Sequence, residues 1–309
     1  MTKSRRTTST SPAQRITAAI IEKLEQGTKP WVKPWRGVPV SRPLRSCGTP
    51  YRGMNTFWLW MVADGNGYVS PYWMTYRQCQ ALGGQVRKGE KSTIAIFYKN
   101  YTKEVENTEG EADTEYRRVL KAYAVFNADQ CDGLPEFYHP KPLIAALEPK
   151  GREERLDTFF AEIGADLRHS GAQAYYEPQR DRVTMPPAEL FEAYDHYYAT
   201  LAHELSHWTG HSSRLDRDLK NRFGSDAYAA EELIAELSSA ILGAELGLPV
   251  THLDHHASYI ASWLKILKSD ERAILTAAAK AEEAASLLLE LGGHRSRKSE
   301  ADIYLADAA

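Results

Sequence analysis

The sequence predicts an α+β protein of two domains, a small mixed α+β unit followed by a mainly helical one. Three observations carry this. Charge is split along the chain: the first hundred residues hold 16 Lys and Arg against 4 Asp and Glu, although the whole chain has a net charge of −3. The stretch Leu134 to Lys150 contains four prolines and reads as a linker. Strand patterns dominate before that stretch and helical periodicity after it. The expected organisation is a disordered basic arm over 1–11, a first domain over 12–138, a linker over 139–152, a second domain over 153–291 and a polar tail over 292–309.

Gln14 to Glu25 carries Ile16, Ala19, Ile20 and Leu24 on one stripe and is read as an amphipathic helix. Lys29 to Gly53, rich in Pro, Gly and Arg, is read as irregular. Thr75 to Leu82 is helical and stops at Gly83-Gly84. Thr93–Tyr98 and Val119–Phe126 are strands, with the acidic, polar run Lys103–Thr114 as a loop or hairpin tip between them. Helices are expected over Glu153–Ile163, Pro187–Thr209, Asp226–Leu246, His255–Leu267 and Asp270–Leu291. Short strands near Ala174–Tyr176 and Arg182–Met185 are expected beside the site described next.

Residues 203–207 read His-Glu-Leu-Ser-His, an H-E-x-x-H motif. On a helix, positions four apart share a face, so His203 and His207 can grip one Zn²⁺ and Glu204 can serve as general base to a metal-bound water. The third ligand must come from elsewhere. Ser213 stands where one extended form of the motif needs a third His, and His211 could reach only through an unusual turn. The following helix offers Glu231, Glu232 and Glu236. Glu232 is read as the ligand and Glu236, one turn on, as the outer carboxylate that orients a His, while Glu231 is expected to point away. Tyr259 and His256 are the candidate oxyanion donors, with core packing as their competing role.

Aromatic residues interleave with the basic charge of the first half. Cations neutralise phosphates and exposed rings stack on bases, so this combination suits single-stranded nucleic acid. Trp31, Lys33, Trp35, Tyr51, Arg52, Asn55, Arg87, Lys88 and Lys91 are the candidate binding residues. Phe57, Trp58 and Trp60 fall in an apolar run and are expected in the core. Cys47, Cys79 and Cys131 are few and widely spaced, which fits a reducing cytoplasm and no disulfide frame. No segment has the apolar length of a membrane span, and the N-terminus lacks the apolar core of a secretory signal.

Several runs together resemble one family. Pro50-Tyr51-Arg52-Gly53-Met54-Asn55, Trp73-Met74-Thr75-Tyr76, Gly84-Gln85-Val86-Arg87-Lys88-Gly89-Glu90-Lys91 and Val125-Phe126-Asn127-Ala128-Asp129-Gln130 in the first half are similar to motifs of ArdC-type antirestriction proteins. So are His203-Glu204-Leu205-Ser206-His207-Trp208-Thr209-Gly210-His211, Glu231-Glu232-Leu233-Ile234-Ala235-Glu236 and Tyr259-Ile260-Ala261-Ser262-Trp263-Leu264 in the second. The similarity spans about residues 12–290. It extends to the N-terminal part of conjugative TraC primases. The resemblance implies an N-terminal domain that binds single-stranded DNA and a C-terminal zincin-like metallopeptidase domain of the SprT/Spartan type. It also implies carriage on mobile DNA and protection of incoming DNA from restriction. Zn²⁺ is the expected cofactor, with Mn²⁺ or another divalent ion as the alternative. The expected partners are single-stranded DNA and a protein substrate near it. Two readings stand: a DNA-tethered peptidase, or a DNA-binding shield whose metal site is structural.

Overall fold

Ser11 opens the first helix, α1 (Pro12–Glu25), with a capping box: its hydroxyl accepts from the Gln14 N–H while the Gln14 side chain takes the Ser11 N–H. The apolar stripe of α1 is buried, and it packs chiefly against α7 (Ile260–Ser269), far along the chain. Helix α1 thus lies against the last third of the chain. The structure is a computed structural model that describes residues 10–31, 41–106, 112–139, 149–219, 225–248 and 259–294.

The first half is built on a sheet of order β1-β2-β5-β4, from Leu44–Arg45, Tyr72–Met74, Ala112–Asn127 and Thr93–Glu106. Strands β4 and β5 form an antiparallel ladder that runs from Thr93 opposite Val125 to Glu106 opposite Ala112. The polar run expected as a loop or hairpin tip over Lys103–Thr114 does fall at the far end of this hairpin, but its residues Lys103–Glu106 and Ala112–Thr114 belong to the two strands. Its low hydrophobicity misleads because a ladder anchored at its base needs no apolar face further out. A second correction is α2 (Met54–Asn66), which falls partly in the stretch read as an apolar run without a helix. Its Asn55 and Trp58 close the outer edge of β4. Asn55 donates to the Ile96 carbonyl at 2.7 Å and accepts from its N–H at 2.9 Å, and the Trp58 indole donates to the Ile94 carbonyl. Helix α3 (Tyr76–Ala81) and the pair β3 (Gln85–Val86) with β6 (Cys131–Asp132) complete this half.

The second half is mainly helical. After α4 (Pro149–Glu162), β7 (Asp166–His169), β8 (Tyr175–Glu177) and β9 (Arg182–Met185) form a sheet of order β7-β9-β8. Helix α5 (Tyr194–Trp208) lies against β8 and β9 and packs on α6 (Asp226–Leu246), which packs in turn on α8 (Ala273–Leu291). One apolar core joins α1, Trp31 and α2 to α4 through α8. Polar ties cross the same boundary. Arg42, buried, donates to both oxygens of Glu282 on α8 and to the Tyr51 carbonyl, and the Gly53 N–H donates to Glu282 at 3.0 Å. Gly53 has φ +56°, a conformation that favours glycine, and this lets its N–H face α8.

Candidate metal centre

The period of α5 is set by Tyr198, Leu201, Ala202 and Leu205, all buried, and this turns His203 and His207 toward α6. Helix α6 starts at Ser225, whose side chain accepts from the Tyr228 N–H, and ends at Gly247 in the left-handed region. Its Glu232 faces the two imidazoles. The His203 and His207 Nε2 atoms are 3.2 Å apart, and the Glu232 carboxylate lies 3.6 Å from the first and 3.5 Å from the second. A tetrahedral ion with bonds of about 2.0–2.1 Å holds its ligands about 3.4 Å apart. Two imidazoles and a carboxylate at these separations fit a divalent cation, and they form the one group of this kind among the described residues.

The surroundings hold the donors in place. Glu231 sets its carboxylate 3.3 Å from His207 Nδ1. An acceptor there makes Nδ1 the donor and leaves the Nε2 lone pair for a metal. Arg217, also buried, grips Glu231 with two hydrogen bonds of 2.7 and 3.0 Å and donates to the Ser206 carbonyl and the Thr209 hydroxyl at the end of α5. Gly210 permits this approach: a Cβ there would stand 2.9 Å from an Arg217 nitrogen. The Glu232 carboxylate is further hydrogen-bonded by Tyr228, whose hydroxyl lies 3.5 Å from that of Tyr259.

Electrostatics follow from this crowding of carboxylates. Burial works to lower the pKa of His207, but the hydrogen bond to Glu231 and the charges of Glu232, Glu204 and Glu231 outweigh it and raise the pKa to about 9. Burial works to raise Glu232, but His203, His207 and Tyr228 bring it down to about 2. The carboxylate is therefore charged as a ligand must be, and a cation held by these residues would displace a proton from His207.

The expected site residues divide clearly. His203, His207 and Glu232 are brought to one place, Glu204 follows His203 on the same buried turn, and the Tyr259 hydroxyl reaches Tyr228 at 3.5 Å. Glu231 does not point away; it, not Glu236, is the carboxylate at the outer nitrogen of His207. Glu236 accepts an ion pair from Lys29 at 3.1 Å, a link to the segment after α1. His211 pairs with Ser213 on the turn after α5. His256 lies outside the described residues. Sequence reasoning missed Arg217 and Tyr228; for Tyr228 the signal was its place one turn before Glu232.

The expected nucleic-acid residues are dispersed. Trp31 is 1% exposed and meets Trp263 edge-on, and Tyr51 is 3% exposed inside a second core with Leu59 and Trp73. The stacking role expected of these two rings is corrected: both are core. Asn55 is corrected likewise, since its amide serves the edge of β4. Arg52 is exposed, 3.9 Å from Glu282. Arg87 pairs with Glu90 at 2.8 Å and Asp132 at 3.4 Å. Lys88 and Lys91 are exposed. Lys33 and Trp35 lie outside the described residues.

If Arg217 fixes Glu231, and Glu231 fixes His207, then Arg217→Ala should weaken metal binding by about 10- to 100-fold although Arg217 touches no metal ligand. A competition titration against a chelating dye checks this, and an unchanged affinity would remove the relay.

A helix bearing two imidazoles, set on a small sheet and faced by a glutamate from the next helix, is the construction of a zincin-type metallopeptidase domain, joined here to a basic α+β unit. Comparison with known proteins agrees. Residues 154–280 match the family described as zincin-like metallopeptidase, and residues 10–126 match the N-terminal domain of anti-restriction factor ArdC. The crystal structure of metal-free ArdC from plasmid R388 superposes with a TM-score of 0.79 at 47% identity, covering 93% of this chain and 100% of that one. Its Mn(II)-bound form superposes at 0.74. The uncharacterized protein y4eC of Sinorhizobium fredii is 43% identical over 285 residues, 90% of this chain and 91% of its own. The DNA primase TraC of Escherichia coli is 41% identical over 295 residues, but the chain spans only 27% of that protein's length. The chain belongs to the ArdC family of antirestriction proteins.

Proposed function

We propose that this chain protects incoming DNA from restriction by binding it as a single strand through its first half. In this reading the second half holds a divalent metal with His203, His207 and Glu232 and acts on protein near that DNA. The observation that carries the site is the convergence of those three donor atoms within 4.8 Å of one another. The Mn(II)-bound ArdC of R388 supports a divalent ion, and zinc is the ion that the His₂Glu donor set suits best.

When bound, the ion supplies Lewis acidity and a water whose pKa is brought near neutrality. The chain's residues do the rest. Glu204, beside His203 on α5, takes a proton during attack on a peptide carbonyl and returns it to the leaving amine. The Tyr259 hydroxyl, close enough to feel the charges of both Glu204 and Glu232, donates to the developing oxyanion.

A second reading is favoured by the burial of the site: His203, Glu204 and Glu232 are all buried. In it the metal only ties α5 to α6 and the protein is a shield. Incubation of the metal-loaded protein with DNA-bound proteins, with and without single strands, separates the two. Cleavage that depends on Glu204 supports the peptidase, and its absence across metals and substrates supports the shield.

A further inference from the structure

Phe97 is 44% exposed, on the face of β4 opposite to buried Ile96. Directly across the ladder stands Lys121, exposed as well. Two residues along β5, Tyr123 meets the Phe97 ring edge-on with centroids 5.7 Å apart. Tyr123 packs against the core cluster that holds Tyr51, and the exposed Arg45 guanidinium lies 5.5 Å from the Tyr51 ring centre. A row therefore crosses this face: Arg45, Tyr51, Tyr123, Phe97, Lys121. The opposite face at this level is covered, since Ile94, Ile96 and Leu120 pack into the large core. The edge at Ile94 and Ile96 is closed by Trp58 and Asn55, so strand addition by a peptide is blocked there.

An exposed ring, Phe97, flanked by half-buried Tyr123 and bracketed by cations, matches a strand whose bases are unstacked and whose phosphates repeat on either side. Duplex DNA hides its base faces and offers such rings nothing to stack on. We propose that this face is the stacking platform for single-stranded nucleic acid, with bases on Phe97 and Tyr123 and phosphates on Arg45 and Lys121. The inference rests on reading the first half as the nucleic-acid-binding half. It moves the stacking role away from Trp31 and Tyr51, with Tyr51 reduced to holding Tyr123 and Arg45 in place.

The test uses the full chain, a labelled oligothymidylate of about 20 nucleotides and fluorescence anisotropy over a salt series. Phe97→Ala should weaken binding about 10-fold with little change in salt slope, and Phe97→Trp should retain it. Lys121→Gln should reduce the magnitude of the slope by about 0.7, the value of one phosphate contact on a single strand. Phe137→Ala, which removes an exposed ring outside the row, should change neither. If the unaltered chain binds but Phe97→Ala and Lys121→Gln bind as it does, the platform is wrong and nucleic-acid binding stands. No binding of any strand by the unaltered chain overturns both. A concentration-dependent dimer in light scattering, abolished by Phe97→Ala, would make this face a self-association surface and overturn the proposal.

Discussion

Replacing both His203 and His207 by alanine should leave the protein unable to take up a stoichiometric divalent ion. The double variant keeps only the Glu232 carboxylate of the three converging donors, and one oxygen ligand cannot hold an ion against water at ordinary concentrations. Thermal unfolding provides a second reading of the same event. An ion that binds the folded state alone, at about a thousand times its dissociation constant, stabilises by about 4 kcal/mol. Added metal should therefore raise the melting temperature of the unaltered protein by several degrees and leave that of the double variant where it was. Elemental analysis after dialysis completes the check. Metal retained at one ion per chain by the double variant would end the assignment.

The second large effect concerns Glu204. Glu204→Gln keeps the volume and removes the basicity, so the fold and the three donors should be preserved. Metal content should stay at the unaltered level. Proton transfer by a placed carboxylate contributes about 10²- to 10⁴-fold to such a reaction, and cleavage of a DNA-bound protein should fall by that much. Two failures are informative. Loss of metal in Glu204→Gln would give Glu204 a structural duty in the site. Cleavage at the unaltered rate would mean that the chemistry uses another base.

Much of the second half was legible because its signals are local. Asp226–Leu246 is a helix over the whole span that its apolar stripe and flanking Ser225 and Gly247 indicate. H-E-x-x-H works through the turn-to-turn geometry of a single helix, and Glu232 follows from one more. The inward turn of Glu231 cannot be seen from helical position relative to the apolar stripe alone. What turns it inward is Arg217, delivered by the chain after α5, and no periodicity encodes that approach.

The first half was less legible for a different reason. Rings mixed with cations look alike whether they face a base or a core. Trp31 is core because α7 brings Trp263 against it from the far end of the chain. The run Pro50 to Asn55, whose residue types suggest nucleic-acid contact, is instead mainly a joint. Tyr51 fills a core, Gly53 reaches Glu282 and Asn55 closes β4. The strand alternation that buries Ile96 and exposes Phe97 is visible in the sequence, but only the register of β4 on β5 sets Lys121 beside that ring.

We propose His203, His207 and Glu232 as the ligands of one divalent ion. An anomalous difference map at the manganese edge, from crystals soaked in Mn²⁺, tests it most directly. A single strong peak is expected about 2.0–2.2 Å from both Nε2 atoms and from a Glu232 oxygen. A peak at Glu236 and Lys29, at any other carboxylate cluster, or no peak at His203 and His207 would contradict it.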